Sequence, residues 1–286
     1  MPIATTATWT WTSPDGLRLH AKAWIPADPP KAIIALVHGL GSHLERLAPV
    51  AAALQNAGHL VAGFDLRGFG RSEGRRGHTP SLAAYFEDIA AFLEQLRRRW
   101  PERPQVLYGH SMGAVLALAF TLERQPPLAG VIATSAALDS AIARQRGKRL
   151  LAQLLGRLLP ITHLDSGLDL GQLSRDPAVP ASVVADPLCH RRVTAGWGLA
   201  LLEAVALANA NASRFPRPLL LLHGSEDAIA APNGSVRFAA AAPADRVTLK
   251  LWPGFQHELH TDPERAAVFA AMVAWLERRL EHEAPR

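Results

Sequence analysis

The 286-residue chain has a single cysteine, Cys189. It can therefore form neither an intrachain disulfide nor a thiolate metal cluster, and a reducing cytoplasm is the expected location. Lysine is scarce, four residues against 26 arginines. The tightest basic groups are Arg97, Arg98 and Arg99, then Arg144, Arg146, Lys148 and Arg149. They lack the interleaved aromatics of a base-stacking surface, so the net charge of +5 and the pI near 10.0 read as a solvated basic face and no nucleic-acid partner is expected. No apolar run approaches the roughly 20 residues that span a bilayer, because Arg157 interrupts even the leucine-rich stretch around it. Met1 to Thr12 has no basic flank followed by an apolar core, which excludes a secretory signal in that stretch. Internal repeats and low-complexity tracts are missing as well.

What is present is a globular composition, 49% hydrophobic and 19% charged. Short runs rich in Val, Ile and Leu alternate with glycine-bearing turns and stretches of helical spacing. The runs are Leu17 to Trp24, Ala32 to Val37, Leu60 to Phe64, Gln105 to Tyr108, Gly130 to Thr134, Pro218 to Leu222 and Arg246 to Leu251. Helices are expected over Ala48 to Gly58, Leu82 to Trp100, Gly113 to Arg124, Val236 to Ala242 and Glu264 to Glu281. This alternation predicts an α/β fold with a mostly parallel, doubly wound sheet covered on both faces.

The rhythm breaks between Thr134 and Pro218, where no buried strand is evident. Structureless loops of that length are uncommon in compact domains. A helical cap over 136–211 is therefore expected, inserted into a core made of 1–135 and 212–286. The cap contains the basic turn Arg144-Gln145-Arg146-Gly147-Lys148-Arg149, followed by a leucine-dense helix. Two readings stay open: a helix packed on the core, or a lid whose apolar face meets lipid.

The sharpest chemical signal is Gly109-His110-Ser111-Met112-Gly113, between the run ending at Tyr108 and a helical stretch. A serine on a tight strand-to-helix turn is exposed at a helix N-terminus, where free N–H groups favour developing negative charge. The alternative for Ser111 is a helix cap. A serine hydroxyl needs a base and an orienting carboxylate. Asp227 follows the strand Leu219 to Leu222, and His257 comes thirty residues further on, after the last strand. Glu226 or Asp262 could replace Asp227, and His260 stands three residues from His257. The spacing of those two histidines does not make a zinc site, and no metal or organic cofactor is expected. His38-Gly39-Leu40-Gly41 follows another strand, and its turn presents an amide toward the serine; Leu40 N–H and Met112 N–H are the candidate oxyanion donors. His38 is expected to brace this loop.

With these residues placed, the chain resembles the α/β-hydrolase fold, and within it the monoacylglycerol lipase and lysophospholipase-like serine hydrolases. The matching stretches are His38 to Gly41, Asp65-Leu66-Arg67-Gly68-Phe69-Gly70-Arg71-Ser72, Gly109 to Gly113, Asp186-Pro187-Leu188, Gly224 to Asp227 and Gly254 to His257. The resemblance implies Ser111 as nucleophile, Asp227 and His257 as its partners, and Leu40 with Met112 as the oxyanion hole. It also implies substrate contacts near a glycerol moiety by Arg46 and His110, and hydrogen-bonding loop support by 65–72. Ser42 and Leu47 depart from the family pattern at the pocket rim. The expected substrate is a small ester or lipid, monoacylglycerol first, then lysophospholipid or simple carboxylester, with transient membrane-surface contact through the cap. The competing class is a non-catalytic lipid-binding or scaffold protein on the same fold.

Overall fold

The computed structural model describes residues 3–139 and 146–283. Eight strands form one sheet: β1 (Thr5–Thr12), β2 (Arg18–Ile25), β3 (Ile33–Val37), β4 (Leu60–Phe64), β5 (Gln105–His110), β6 (Gly130–Thr134), β9 (Leu219–Gly224) and β10 (Val247–Trp252). Their order is β1-β2-β4-β3-β5-β6-β9-β10. From β4 to β10 every pairing is parallel, while β2 runs antiparallel to both β1 and β4. Strands β3 to β6 and β9 are buried along their whole length. That burial on both faces is why they read as unbroken apolar runs instead of alternating ones.

Helices α1 (Ala48–Asn56) and α8 (Arg265–Glu283) cover one face, where Val50, Leu54, Met272 and Trp275 pack on Ile34, Tyr108 and Ile132. On the other face lie α2 (Leu82–Arg99) and α3 (Met112–Arg124), with Tyr85, Phe86, Val115 and Phe120 against Leu107, Val131 and Leu221. The Ser81 hydroxyl caps α2 by accepting from Ala84 N–H. Helix α7 (Asn233–Ala241) adds Phe238 to the same cluster.

β1 is an addition to the expected strands. Thr8-Trp9-Thr10-Trp11-Thr12 alternates with a period of two, a signal that a search for apolar runs passes over. Trp11 is buried against Phe64 and Phe92.

Between β6 and β9 the described residues form α4 (Arg146–Leu158), a two-stranded ribbon of β7 (His163–Asp165) and β8 (Arg192–Thr194), α5 (Ala178–Ala185) and α6 (Ala195–Asn211). Arg144 and Gln145 of the basic turn lie outside the described residues. α6 sends Trp197, Ala200, Ala204 and Ala208 into the core cluster. α4 rests on α6, where Gly156 packs against Leu199 and Ala195. Its Leu150, Leu154 and Leu158 are 63%, 55% and 69% exposed. Among the described residues no helix is long and apolar enough to cross a membrane.

Candidate active site

Every candidate residue lies at or beyond the C-terminal end of a parallel strand, the edge where sites of open α/β sheets gather. Ser111 joins β5 to α3, with φ 55° and ψ −116°, a backbone conformation a non-glycine residue adopts only under constraint. The constraint is visible. Ser111 N–H donates to Thr134 O at 2.9 Å, and Ser111 O accepts from Ala114 and Val115 N–H at 3.1 and 3.2 Å. The flanking glycines are dictated by sterics: a Cβ on Gly109 would stand 2.3 Å from Gly113 O, and one on Gly113 would stand 2.2 Å from Val37 O.

His257 Nε2 lies 2.8 Å from Ser111 Oγ, and His257 Nδ1 lies 2.7 Å from Asp227 Oδ2. Since the carboxylate accepts, Nδ1 carries the proton, and the lone pair of Nε2 faces the serine hydroxyl, which donates to it. All three side chains are buried. The loop bearing His257 is clasped to the turn bearing Asp227. Ser225 N–H donates to Trp252 O, Glu226 N–H donates to Phe255 O, and Gly254 N–H donates to Ser225 Oγ. Gly224 is required at this approach, because a Cβ there would meet Phe255 O and Gln256 O at 2.3 Å. Just after β6, Ser135 Oγ donates to His257 O at 2.6 Å.

The alternative carboxylates are engaged elsewhere. Asp262 takes a bidentate pair of bonds from Arg175, at 2.8 and 2.7 Å, and Glu226 accepts from Ser225 Oγ. Asp227 Oδ1 accepts the amides of Ile229 and Ala230, and its Oδ2 also accepts from His223 Nε2 at 3.0 Å. Burial alone would raise the carboxyl's pKa. His257 and His223 outweigh it and hold Asp227 well below the usual carboxylate range. His223 is a partner that the sequence reading missed; its position four residues before Asp227, at the end of β9, was the available signal.

Met112 opens α3, so its amide has no intrahelical acceptor. The His38–Gly41 turn lies against Ser111, where a Cβ on Gly39 would stand 3.3 Å from Ser111 Cβ. His38 Nε2 accepts from Leu66 N–H at 2.9 Å and its Nδ1 donates to Gly39 O at 2.8 Å, and burial pushes its pKa down to about 4. The 65–72 segment makes loop-holding bonds: Asp65 accepts from Leu44 and Arg71 N–H, Ser72 Oγ donates to Asp65 O, and Arg67 bridges Asp15 and Asp88.

Arg46 and His110 part company. Arg46 lines a cavity of about 240 Å³ with Leu40, Leu170, Leu173, Val183 and Glu258. Its guanidinium is 3.6 Å from Glu258. His110 is buried instead, with its ring 5.1 Å from that of His257 and 4.8 Å from that of His260, and Nδ1 3.1 Å from Thr134 Oγ1. Burial, with the neighbouring His260 and His257, lowers its pKa well below the ordinary value.

The family model for serine aminopeptidase, S33, matches residues 28–264. The chain belongs to this family. It is 30% identical to a monoacylglycerol lipase of Mycolicibacterium smegmatis, over 91% of this chain and 93% of that protein. It is 32% identical to the monoglyceride lipase of Rattus norvegicus, over 93% of this chain and 89% of that one. The crystal structure of a Paleococcus ferrophilus monoacylglycerol lipase superposes with a TM-score of 0.81 at 31% identity, covering 96% of this chain and 99% of that one. This family member is a carboxylic ester hydrolase of the α/β-hydrolase fold.

Proposed function

We propose that the chain hydrolyses monoacylglycerols through an acyl-serine intermediate, with Ser111 as nucleophile, His257 as base and then acid, and Asp227 as the orienting carboxylate. The observation that carries this reading is the unbroken line of hydrogen bonds from Asp227 through His257 to Ser111, 2.7 and 2.8 Å long. As Ser111 Oγ bonds to the ester carbon, its proton passes to His257 Nε2. Asp227 stabilises the imidazolium, and the amides of Leu40 and Met112 receive the oxyanion, a contribution of about 3 kcal/mol for each donor. Collapse of the intermediate breaks the bond to the alcohol, which leaves with the proton from His257. Water then repeats the cycle on the acyl-serine.

The cavity supports a glyceride. Leucine and valine make up six of its thirteen lining residues, and the Arg46–Glu258 pair adds a polar patch on the residue that follows His257 in the chain. Burial of about 0.8 kcal/mol per CH₂ makes acyl length an effective selector in such a channel. Arg46 is assigned to the alcohol end of the substrate. His110, packed on His257, is assigned to the wall behind the base. Residues 136–211 are read as a cap domain on a core of 1–135 and 212–286, and the exposed Leu150, Leu154 and Leu158 as its contact with lipid surfaces.

A fluorophosphonate probe followed by a substrate series tests the proposal. Labelling of the wild type and none of Ser111→Ala is expected. Turnover of 1-monoacylglycerols should exceed that of lysophospholipids and of short p-nitrophenyl esters. An unlabelled, folded wild type would refute the nucleophile, and a sharp optimum at acetate would refute the long-chain channel.

A further inference from the structure

The carboxylate of Asp227 is held by four donors, and one of them has no place in the chemistry described above. Two are main-chain amides on Oδ1. Oδ2 is shared by two histidines, His257 through Nδ1 at 2.7 Å and His223 through Nε2 at 3.0 Å. His223 is fully buried. Its Nε2 also lies 2.8 Å from Ala230 O, and since both neighbours are acceptors, Nε2 carries a proton whatever the state of the rest of the ring. The other nitrogen, Nδ1, is 2.7 Å from Ser235 Oγ on α7, so the ring is pinned at both ends, between the Asp227 turn and that helix.

We propose that His223, braced by Ser235, is a positioning residue of the reaction, which by donating to the oxygen that Asp227 gives to His257 sets how strongly the carboxylate polarises the base. The inference rests on reading Ser111, His257 and Asp227 as a triad. Its physical basis is the division of one acceptor. An oxygen that receives two N–H donors gives each a weaker bond than it would give one alone. Removal of His223 leaves Oδ2 to His257, the imidazolium is held more firmly, and the base loses its proton at higher pH. The other titratable groups against His257 are His110 from β5 and His260 from its own loop, and the charges of Glu258 and Arg46 bear on those two histidines. None of them is altered by a change at 223.

The test is the pH profile of kcat/KM for a soluble ester, measured on wild type, His223→Leu, His223→Gln and Ser235→Ala, with near-ultraviolet circular dichroism and Tm recorded for each. The acid limb of His223→Leu should move to higher pH by about 0.5–1 unit, with kcat down several-fold and KM within about twofold. Glutamine, whose amide can donate from nearly the position of Nε2, should return the limb toward wild type. Ser235→Ala should move it in the same direction by less. Should His223→Leu fail to fold, the Ser235→Ala and His223→Gln profiles decide. An acid limb that stays put in every folded variant, with only Tm falling, makes His223 a packing residue and overturns the proposal. Activity surviving in parallel Ser111→Ala and Asp227→Asn controls would instead overturn the triad itself, so the two failures are distinguishable.

Discussion

His43 Nε2 and a carboxylate oxygen of Asp186 stand 2.8 Å apart, joining residues 143 positions apart in the chain. His43 is buried just after the Leu40 loop, and Asp186 ends α5. A second bond, His190 N–H to Gly41 O at 3.1 Å, fastens the same two segments. The loop assigned to the oxyanion is thus tied to the segment between β6 and β9. Asp186→Ala removes the charged partner and leaves a buried imidazole nitrogen unpaired, a loss of about 1–3 kcal/mol. Steady-state kinetics on a p-nitrophenyl ester should show kcat/KM lowered about tenfold, together with a lower Tm. Unchanged kinetics would separate the tie from the loop's function.

The backbone of Ser111 is strained, at φ 55° and ψ −116°. Ser111→Gly and Ser111→Ala should both abolish ester turnover. Only glycine adopts this conformation without penalty, so Ser111→Gly should be more stable than Ser111→Ala by about 1–2 kcal/mol in urea denaturation. Equal midpoints would mean that the turn stores no strain.

Gly113→Ala places a methyl 2.2 Å from Val37 O and 2.6 Å from His38 O, both backbone atoms at the end of β3. Neither can yield without moving the strand that carries Leu40. A loss of about 3 kcal/mol or more is expected by denaturant titration, with activity falling further than the folded fraction does. An active, wild-type-like variant would show the α3–β3 contact to be looser than described.

Burial, aided by the charge of Lys31, holds His59 down to about 4, and both of its ring nitrogens lack a protein partner. The unfolded histidine titrates near its ordinary value of 6.5. Stability from keeping it neutral is fully present above that pH and is lost as pH falls toward 4, since only the unfolded chain binds the proton in that window. His38, lowered to about 4, adds a second such slope. His59→Leu should therefore lessen the pH dependence of unfolding free energy between pH 6.5 and 4 by about 1.4 kcal/mol per pH unit. Urea titrations at several pH values check this; parallel slopes for variant and wild type would contradict it.

Much of the architecture was written in the chain's local patterns. Runs such as Ile33–Val37 and Leu219–Leu222 are apolar throughout because both sheet faces are covered, and the glycines around Ser111 announce a turn that tolerates no Cβ. Order along the chain also named Ser111, Asp227 and His257, since each follows a strand end. Local pattern favoured Asp227 but left Asp262 and Glu226 open. What separates the three in space is Arg175, 87 residues from Asp262 in sequence and bonded to it, and the crossing of two loops at Gly224. Nor could local pattern reveal that His223 shares an oxygen with His257, that Arg46 faces a cavity while His110 turns inward, or that α6 is built into the core while α4 leaves Leu150, Leu154 and Leu158 to solvent. Periodicity and turn chemistry act between near neighbours and so are legible in one dimension. Hydrogen-bond partners and burial depend on which distant segments converge, and only the folded chain decides that.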